Sequence, residues 1–294
     1  MRALALALAL ALSTLGCGGA AAVVRAPEEV ERYRHIVLET ADPNGIAWDD
    51  ARRLLYVADD DAPRVLVLSN GVVVAERGLG SVGAGAGGLV QLGDGSLAVV
   101  RYGAGDDGGV VRLLSDEAVR PIPGLDGSRH RLGAASWGEL YVAWYTGEGD
   151  ARTGGVARVD AYGGGETDVL IGLGKAAGVA VIDDLLVVSD QNHDSLVVCH
   201  LPDCEDRALL AAVPTPDLMT ATETEVLVSS GDGSVYAVDR MGRVRVAVSE
   251  LGGEPRGLAW DAEGQRLFVA VHDPHGSAHS IAIVPFSTAE PPAE

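Results

Sequence analysis

The chain has 294 residues, a formal charge of −20 and 47 % hydrophobic residues, enough apolar material for a substantial core and too much for global disorder. The acidic balance excludes the basic stripe that nucleic-acid binding needs, and beyond the amino-terminal stretch no run approaches the ~20 apolar residues of a membrane-spanning helix. Glycine is abundant, at 39 residues, and the single lysine is Lys175, so nearly all positive charge is arginine.

The first residues predict an export signal. Met1-Arg2 is a minimal positive start, and residues 3–12 alternate alanine and leucine over a length too short to span a bilayer. Small Gly16 before Cys17 resembles the lipobox of bacterial lipoproteins, although Thr14 stands where leucine is usual. The resemblance implies cleavage after residue 16 and lipidation of Cys17. It also implies anchoring at the bacterial cell envelope, on the outer membrane or the periplasmic face, with residues 17–31 as a tether. An ordinary secretory leader with an incidental Cys17 is the alternative.

Residues 33–39 form an isolated apolar strand, and a repeat of 39 to 46 residues begins after it. Its first phrase is glycine, an apolar residue and alanine: Gly45-Ile46-Ala47-Trp48, Gly88-Leu89-Val90, Gly133-Ala134-Ala135, Gly178-Val179-Ala180, a degenerate Leu218-Met219-Thr220, and Gly257-Leu258-Ala259-Trp260. A second apolar phrase follows each, as in Leu55-Tyr56-Val57-Ala58 and Leu267-Phe268-Val269-Ala270, and then a third short strand. Turn dipeptides such as Asn70-Gly71, Asp94-Gly95 and Asp232-Gly233 punctuate them. Four short antiparallel strands per ~40 residues describe the blade of a β-propeller. The chain is therefore expected to be all-β, with six blades over residues 32–288 and a tail at 289–294. The sixth copy runs out after three strands, so residues 33–39 are expected to supply its fourth and close the ring. Cys199 and Cys204 flank the turn Leu201-Pro202-Asp203. In an exported protein a short disulfide is the favoured reading, with two free thiols as the alternative.

Pro43-Asn44-Gly45-Ile46-Ala47-Trp48-Asp49, followed by Leu55-Tyr56-Val57-Ala58-Asp59, resembles the repeat of six-bladed propellers related to NHL-repeat proteins and the senescence-marker/gluconolactonase family. That resemblance implies a divalent, calcium-like cation in the channel, held by a Glu, two Asn and an Asp, that polarises a lactone carbonyl and activates water. Asn44 matches one amide ligand and Asp217 the carboxylate. Gly87, Leu132, Ala177 and Arg256 at the other strand entrances supply none, so Asp59, Asp190 and His272 are the candidate replacements.

Propeller ligands meet the loops at one end of the channel. The residues ending the second strands are Asp59, Arg101, Trp144, Asp190, Ser230 and Val271; the next positions are Asp60, Tyr102, Tyr145, Gln191, Gly231 and His272. Arg101, Tyr102, Trp144, Tyr145 and Arg256 make the expected ligand-binding face. The run from His272 to His279, with His275 and Asp273 inside it, is the densest set of metal-ligand side chains, though its spacing fits no strict metal motif. Gly78-Leu79-Gly80-Ser81-Val82-Gly83 lacks the helix that phosphate binding requires, and no nucleophile elbow exists. Two functions remain. The first is a membrane-tethered module binding a protein, a glycan or a small ligand; the alternative is a divalent-metal-dependent hydrolase of lactones or esters with its site in the channel.

Overall fold

A computed structural model of the protein describes residues 32–80, 85–102, 109–115, 118–276 and 279–288. The predicted leader, the lipidation site Cys17, the tether and the 289–294 tail lie outside the described residues. Among those described, no helix is long and apolar enough to cross a membrane.

The chain enters on β1 (Arg34–Leu38). Blade 1 is β2 (Pro43–Asp49), β3 (Leu54–Asp59), β4 (Arg64–Ser69) and β5 (Val72–Gly78); blade 2 is β6 (Ala86–Gln91), β7 (Leu97–Arg101), β8 (Gly109–Leu113) and β9 (Val119–Pro121). Blade 3 is β10 (His130–Trp137), β11 (Glu139–Thr146), β12 (Thr153–Val159) and β13 (Glu166–Leu173), and blade 4 is β14 (Ala176–Ile182), β15 (Leu185–Asp190), β16 (Ser195–His200) and β17 (Ala208–Ala212). Blade 5 is β18 (Pro216–Ala221), β19 (Glu225–Ser230), β20 (Val235–Asp239) and β21 (Val244–Val248); blade 6 is β22 (Glu254–Asp261), β23 (Arg266–His272) and β24 (His279–Pro285). The described residues thus form six four-stranded antiparallel sheets.

Burial explains the two kinds of apolar phrase. Second strands such as β15 and β19 are covered on both faces by neighbouring blades and read as continuous apolar runs, whereas outer strands such as β5 and β21 are largely exposed. The core is divided accordingly into clusters between blades. Leu89, Val99 and Val111 pack against Ala58 and Val65 between blades 1 and 2, for example, and Leu227 and Val235 pack against Leu258 and Val269 between blades 5 and 6.

The ring closes as the sequence predicts. β1 completes blade 6 by pairing antiparallel with β24, in a register running from Arg34 opposite Ile283 to Leu38 opposite His279. Leu38 is 4 % exposed and packs with Ile46, Phe268 and Ile281 across the seam. Leu38→Ala is expected to cost about 2–4 kcal/mol through the cavity it leaves, read as a lower urea midpoint.

The glycine phrases mark where blades touch backbone to backbone. All six first strands carry a register shift at their inner ends, as between Pro43 and Ile46 in β2 and between Pro255 and Leu258 in β22. A Cβ built on Gly45 would lie 2.4 Å from the Gly87 carbonyl oxygen, one on Gly133 2.6 Å from that of Ala177, and one on Gly257 2.1 Å from that of Asn44. This collar narrows the channel to a cavity of about 20 Å3 beside Gly45, Gly88, Gly133 and Gly257. Below it, the carboxyl ends of the first strands enclose a vestibule of about 240 Å3 between Trp48, Leu89, Met219 and Trp260. Asp60, Lys175 and Arg256 lie at the opposite end, where second strands finish and first strands begin. Cys199 and Cys204 form a disulfide across the turn after β16, with Cα atoms 4.8 Å apart.

Candidate active site at the channel mouth

Successive residues of a strand point to opposite faces, so the two positions at each second-strand end have different neighbours. The first position braces its own blade. Asp59 Oδ1 accepts the N–H groups of Asp42 and Asp61, both at 3.1 Å, and its Oδ2 accepts from Arg64 Nε at 2.6 Å. Asp190 accepts the Gly174 N–H at 3.0 and 3.1 Å and His193 Nδ1 at 2.7 Å. Trp144 is buried, donates from Nε1 to Asp168 at 3.1 Å and lies under the Arg129 guanidinium at 3.8 Å. Asp59 and Asp190, expected as replacement metal ligands, have their oxygens engaged within their blades, and Trp144 is a packing residue. Arg101 ends β7 in its ladder, opposite Ala86 and Gly109.

The second position forms the mouth. Asn44 donates its side-chain amide to the Tyr102 hydroxyl and also to Asp60. Arg256 Nη1 lies 2.6 Å from Asp60 Oδ2 and 3.3 Å from Asp42 Oδ2. Lys175 Nζ donates to Gln191 Oε1 at 2.6 Å and stands 5.7 Å from the centre of the Tyr145 ring, which stacks on His130. Three carboxyl groups, Asp42, Asp60 and Asp217, thus share the mouth with Arg256 and Lys175.

Desolvation dominates the electrostatics. Burial raises the Asp60 carboxyl above its ordinary range despite the opposing charge of Arg256, and it raises Asp217 despite Lys175 and Arg256. It pushes the Tyr102 hydroxyl well up, helped by the charges of Asp60 and Asp217, so the phenol stays a hydrogen-bond donor at neutral pH. Burial lowers the Lys175 ammonium, as does Arg152, against the pull of Asp217. An acid whose folded pKa is raised contributes stability below its unfolded pKa and loses it as pH rises through the folded value. Asp217→Asn removes that loss, so the melting temperature of the variant relative to the parent is expected to rise between pH 4 and pH 7. A difference independent of pH would contradict the raised carboxyl.

The seam brings together a second group. Asp42 follows β1, His272 ends β23 and His279 opens β24. His272 Nδ1 lies 2.9 and 3.0 Å from the two Asp42 oxygens, His279 Nδ1 is 3.4 Å from Asp42 Oδ1, and the two imidazoles stack at 4.9 Å. One ligand atom from each of the three lies within 4.8 Å of the others. Asp42 Oδ1 faces both imidazoles, while Arg256 holds its Oδ2, the arrangement that orients a ligating carboxylate. Asp273 and His275, expected alongside His272, stay outside this trio: the Asp273 amide donates to His279 Nδ1 at 3.1 Å, and exposed His275 donates its N–H to Asp273.

Asn44 and Asp217 both reach the mouth, but their polar groups meet Tyr102 and Asp60, or Lys175 and Arg256. A calcium-like ion takes six to eight oxygens, and here two fixed cations stand among them. Two imidazoles and a carboxylate suit a divalent transition ion such as zinc or manganese. Sequence reasoning missed Asp42 and Lys175. Asp42 sits between the closing strand and the first repeat, outside every repeated position, and the only signal for Lys175 is that it is the sole lysine.

No protein-family model matches the chain, and no curated protein is significantly similar to it. Solved structures do resemble it. A gluconolactonase from Xanthomonas campestris superposes with a TM-score of 0.68 at 18 % identity, covering 85 % of this chain and 88 % of its own. Regucalcin from Agrobacterium tumefaciens, a calcium-binding protein, gives 0.68 at 14 % identity over 87 % and 95 %. A catalytically inactive histidine-to-alanine variant of Staphylococcus aureus virginiamycin B lyase, solved with quinupristin, gives 0.58 at 14 % identity over 86 % and 99 %. The protein is a six-bladed propeller with gluconolactonase, regucalcin and virginiamycin B lyase structures among its neighbours. At these identities the likeness shows the fold.

Proposed function

We propose that the protein is a divalent-metal-dependent hydrolase of lactones or related esters, working at the channel mouth. The observation that carries this reading is the convergence of Asp42, His272 and His279 beside Arg256 and Tyr102. Gluconolactonase among the structural neighbours supports it over the binding-module reading that ranks first from sequence. A zinc- or manganese-like ion would be held by Asp42, His272 and His279, replacing the hydrogen bonds that Asp42 and Asp273 make to their imidazoles. When bound, it supplies Lewis acidity and lowers the pKa of a coordinated water.

The chain's own groups do the rest. Arg256 fixes Asp42 and Asp60 and places a positive charge where an oxyanion develops. Tyr102, oriented by Asn44 and kept protonated, donates to a carbonyl or ring oxygen. Asp60, its carboxyl raised by burial, is suited to deliver a proton to the departing alkoxide.

The test is metal content after dialysis without chelator, together with hydrolysis of γ- and δ-lactones before and after chelation. Near-stoichiometric divalent metal, activity lost with chelator and restored by zinc or manganese, and loss of both in His272→Ala are the expected results. Metal-free protein that is inactive with every added divalent ion would return the reading to a binding module.

A further inference from the structure

Lys175 stands apart from the hydrolytic trio, and the chain uses arginine for its other basic side chains. Its backbone is clamped on both sides: the Gly174 N–H is held by both Asp190 oxygens, and the Lys175 carbonyl accepts the Gln191 N–H at 2.9 Å. Its amine is aimed by Gln191 Oε1 at 2.6 Å. Arg152 also stands over the Tyr145 ring, its guanidinium 5.5 Å from the ring centre where Lys175 Nζ is at 5.7 Å. The Arg152 Nε is buried without a hydrogen-bond partner.

We propose that Lys175 is a nucleophilic amine that forms a Schiff base with a small oxo acid, whose carboxylate Arg152 binds. An amine becomes a nucleophile at neutral pH when it is desolvated or set beside another cation, and Lys175 has both conditions. Burial and Arg152 draw its ammonium down against the charge of Asp217. The neutral amine adds its lone pair to the carbonyl carbon, and a proton passes from the resulting ammonium to the alkoxide oxygen to give a neutral carbinolamine. The nitrogen lone pair then closes the C=N bond as the hydroxyl leaves with a proton as water. The Asp217 carboxyl, raised by its own burial, is the adjacent proton donor. The step consumes no oxidant or reductant, and it holds whether or not the seam trio hydrolyses lactones.

Because Lys175 is the single lysine, amine chemistry reports on it directly. The full chain is incubated at pH 7 with glyoxylate or with propionaldehyde, trapped with cyanoborohydride and mapped by peptide mass spectrometry. Nα-acetyl-lysine amide in the same tube is the reference. Glyoxylate is expected to label Lys175 faster than the reference, because burial beside Arg152 leaves more of its amine neutral at pH 7. Lys175→Arg should keep its melting temperature and leave label only at the amino terminus, and Arg152→Gln should slow labelling and abolish the preference for glyoxylate over propionaldehyde. Labelling of Lys175 no faster than the reference overturns the nucleophile. An unchanged glyoxylate preference in Arg152→Gln overturns the oxo-acid assignment.

Discussion

Asp42→Asn is expected to lower kcat/KM for lactone hydrolysis by about 10²–10³-fold, the loss expected when several kcal/mol of Lewis-acid stabilisation goes with a metal ligand, while the protein stays folded. The substitution keeps the volume of a buried side chain but removes the charge that His272 and Arg256 meet. An amide can accept from only one of them and presents an N–H toward the other, so either His272 or Arg256 loses its acceptor. Bound metal should fall with the activity, because one of three ligand atoms changes from a carboxylate to a weak carbonyl donor. Glu263→Gln, at an exposed residue on the opposite end of the sixth blade, is the matched loss of one charge and should leave both readouts unchanged. If Asp42→Asn retains full activity and metal, the site at the seam is not the catalytic one.

Gly257→Ala should destabilise the protein by about 3–5 kcal/mol, in the tail of single substitutions that marks a named packing conflict. The added carbon would sit 2.1 Å from the Asn44 carbonyl oxygen and 2.8 Å from the Gly45 Cα. Both obstacles are backbone of the next blade, so no rotamer change relieves them, and blade 6 must move away from blade 1. That displacement shifts Asn44, and with it the hydrogen bond that orients Tyr102, so catalysis should fall more than stability alone explains. Gly93→Ala meets nothing within 4 Å and is expected to change stability by no more than ~0.5 kcal/mol. Urea midpoints and lactone turnover on the same preparations separate the two effects. Equal behaviour of the two alanine variants would remove the collar as a determinant of the fold.

The architecture is legible in the sequence because it is written locally. Alternation, continuous apolar runs and turn dipeptides repeat within each ~40 residues, and the missing fourth strand of the last copy points to residues 33–39 as its substitute. The glycines are visible as a phrase, but their cause, carbonyl oxygens of the adjacent blade, lies in the next repeat. The mouth was half legible. A shift of one residue separates Asp59, which ties down its own loop, from Asp60, which pairs with Arg256, and the sequence marks both positions alike. Asp42 and His272 meet across 230 residues of chain, so no spacing rule connects them. His279 falls within the histidine-rich run, yet its distinction from His275 comes only from which residue opens β24.

The seam also sets an order of events. Asp42 follows the first described strand and its imidazole partners belong to the last two, so a chain ending before residue 272 carries the carboxylate without either histidine. Docking of β1 against β24 brings Asp42 to the strands that carry both histidines. Since Arg34 lies opposite Ile283, the two ends of the ring are neighbours that a short peptide can bridge. A circular permutant opened at the turn between β11 and β12 would then have Asp42, His272 and His279 on one continuous stretch of chain.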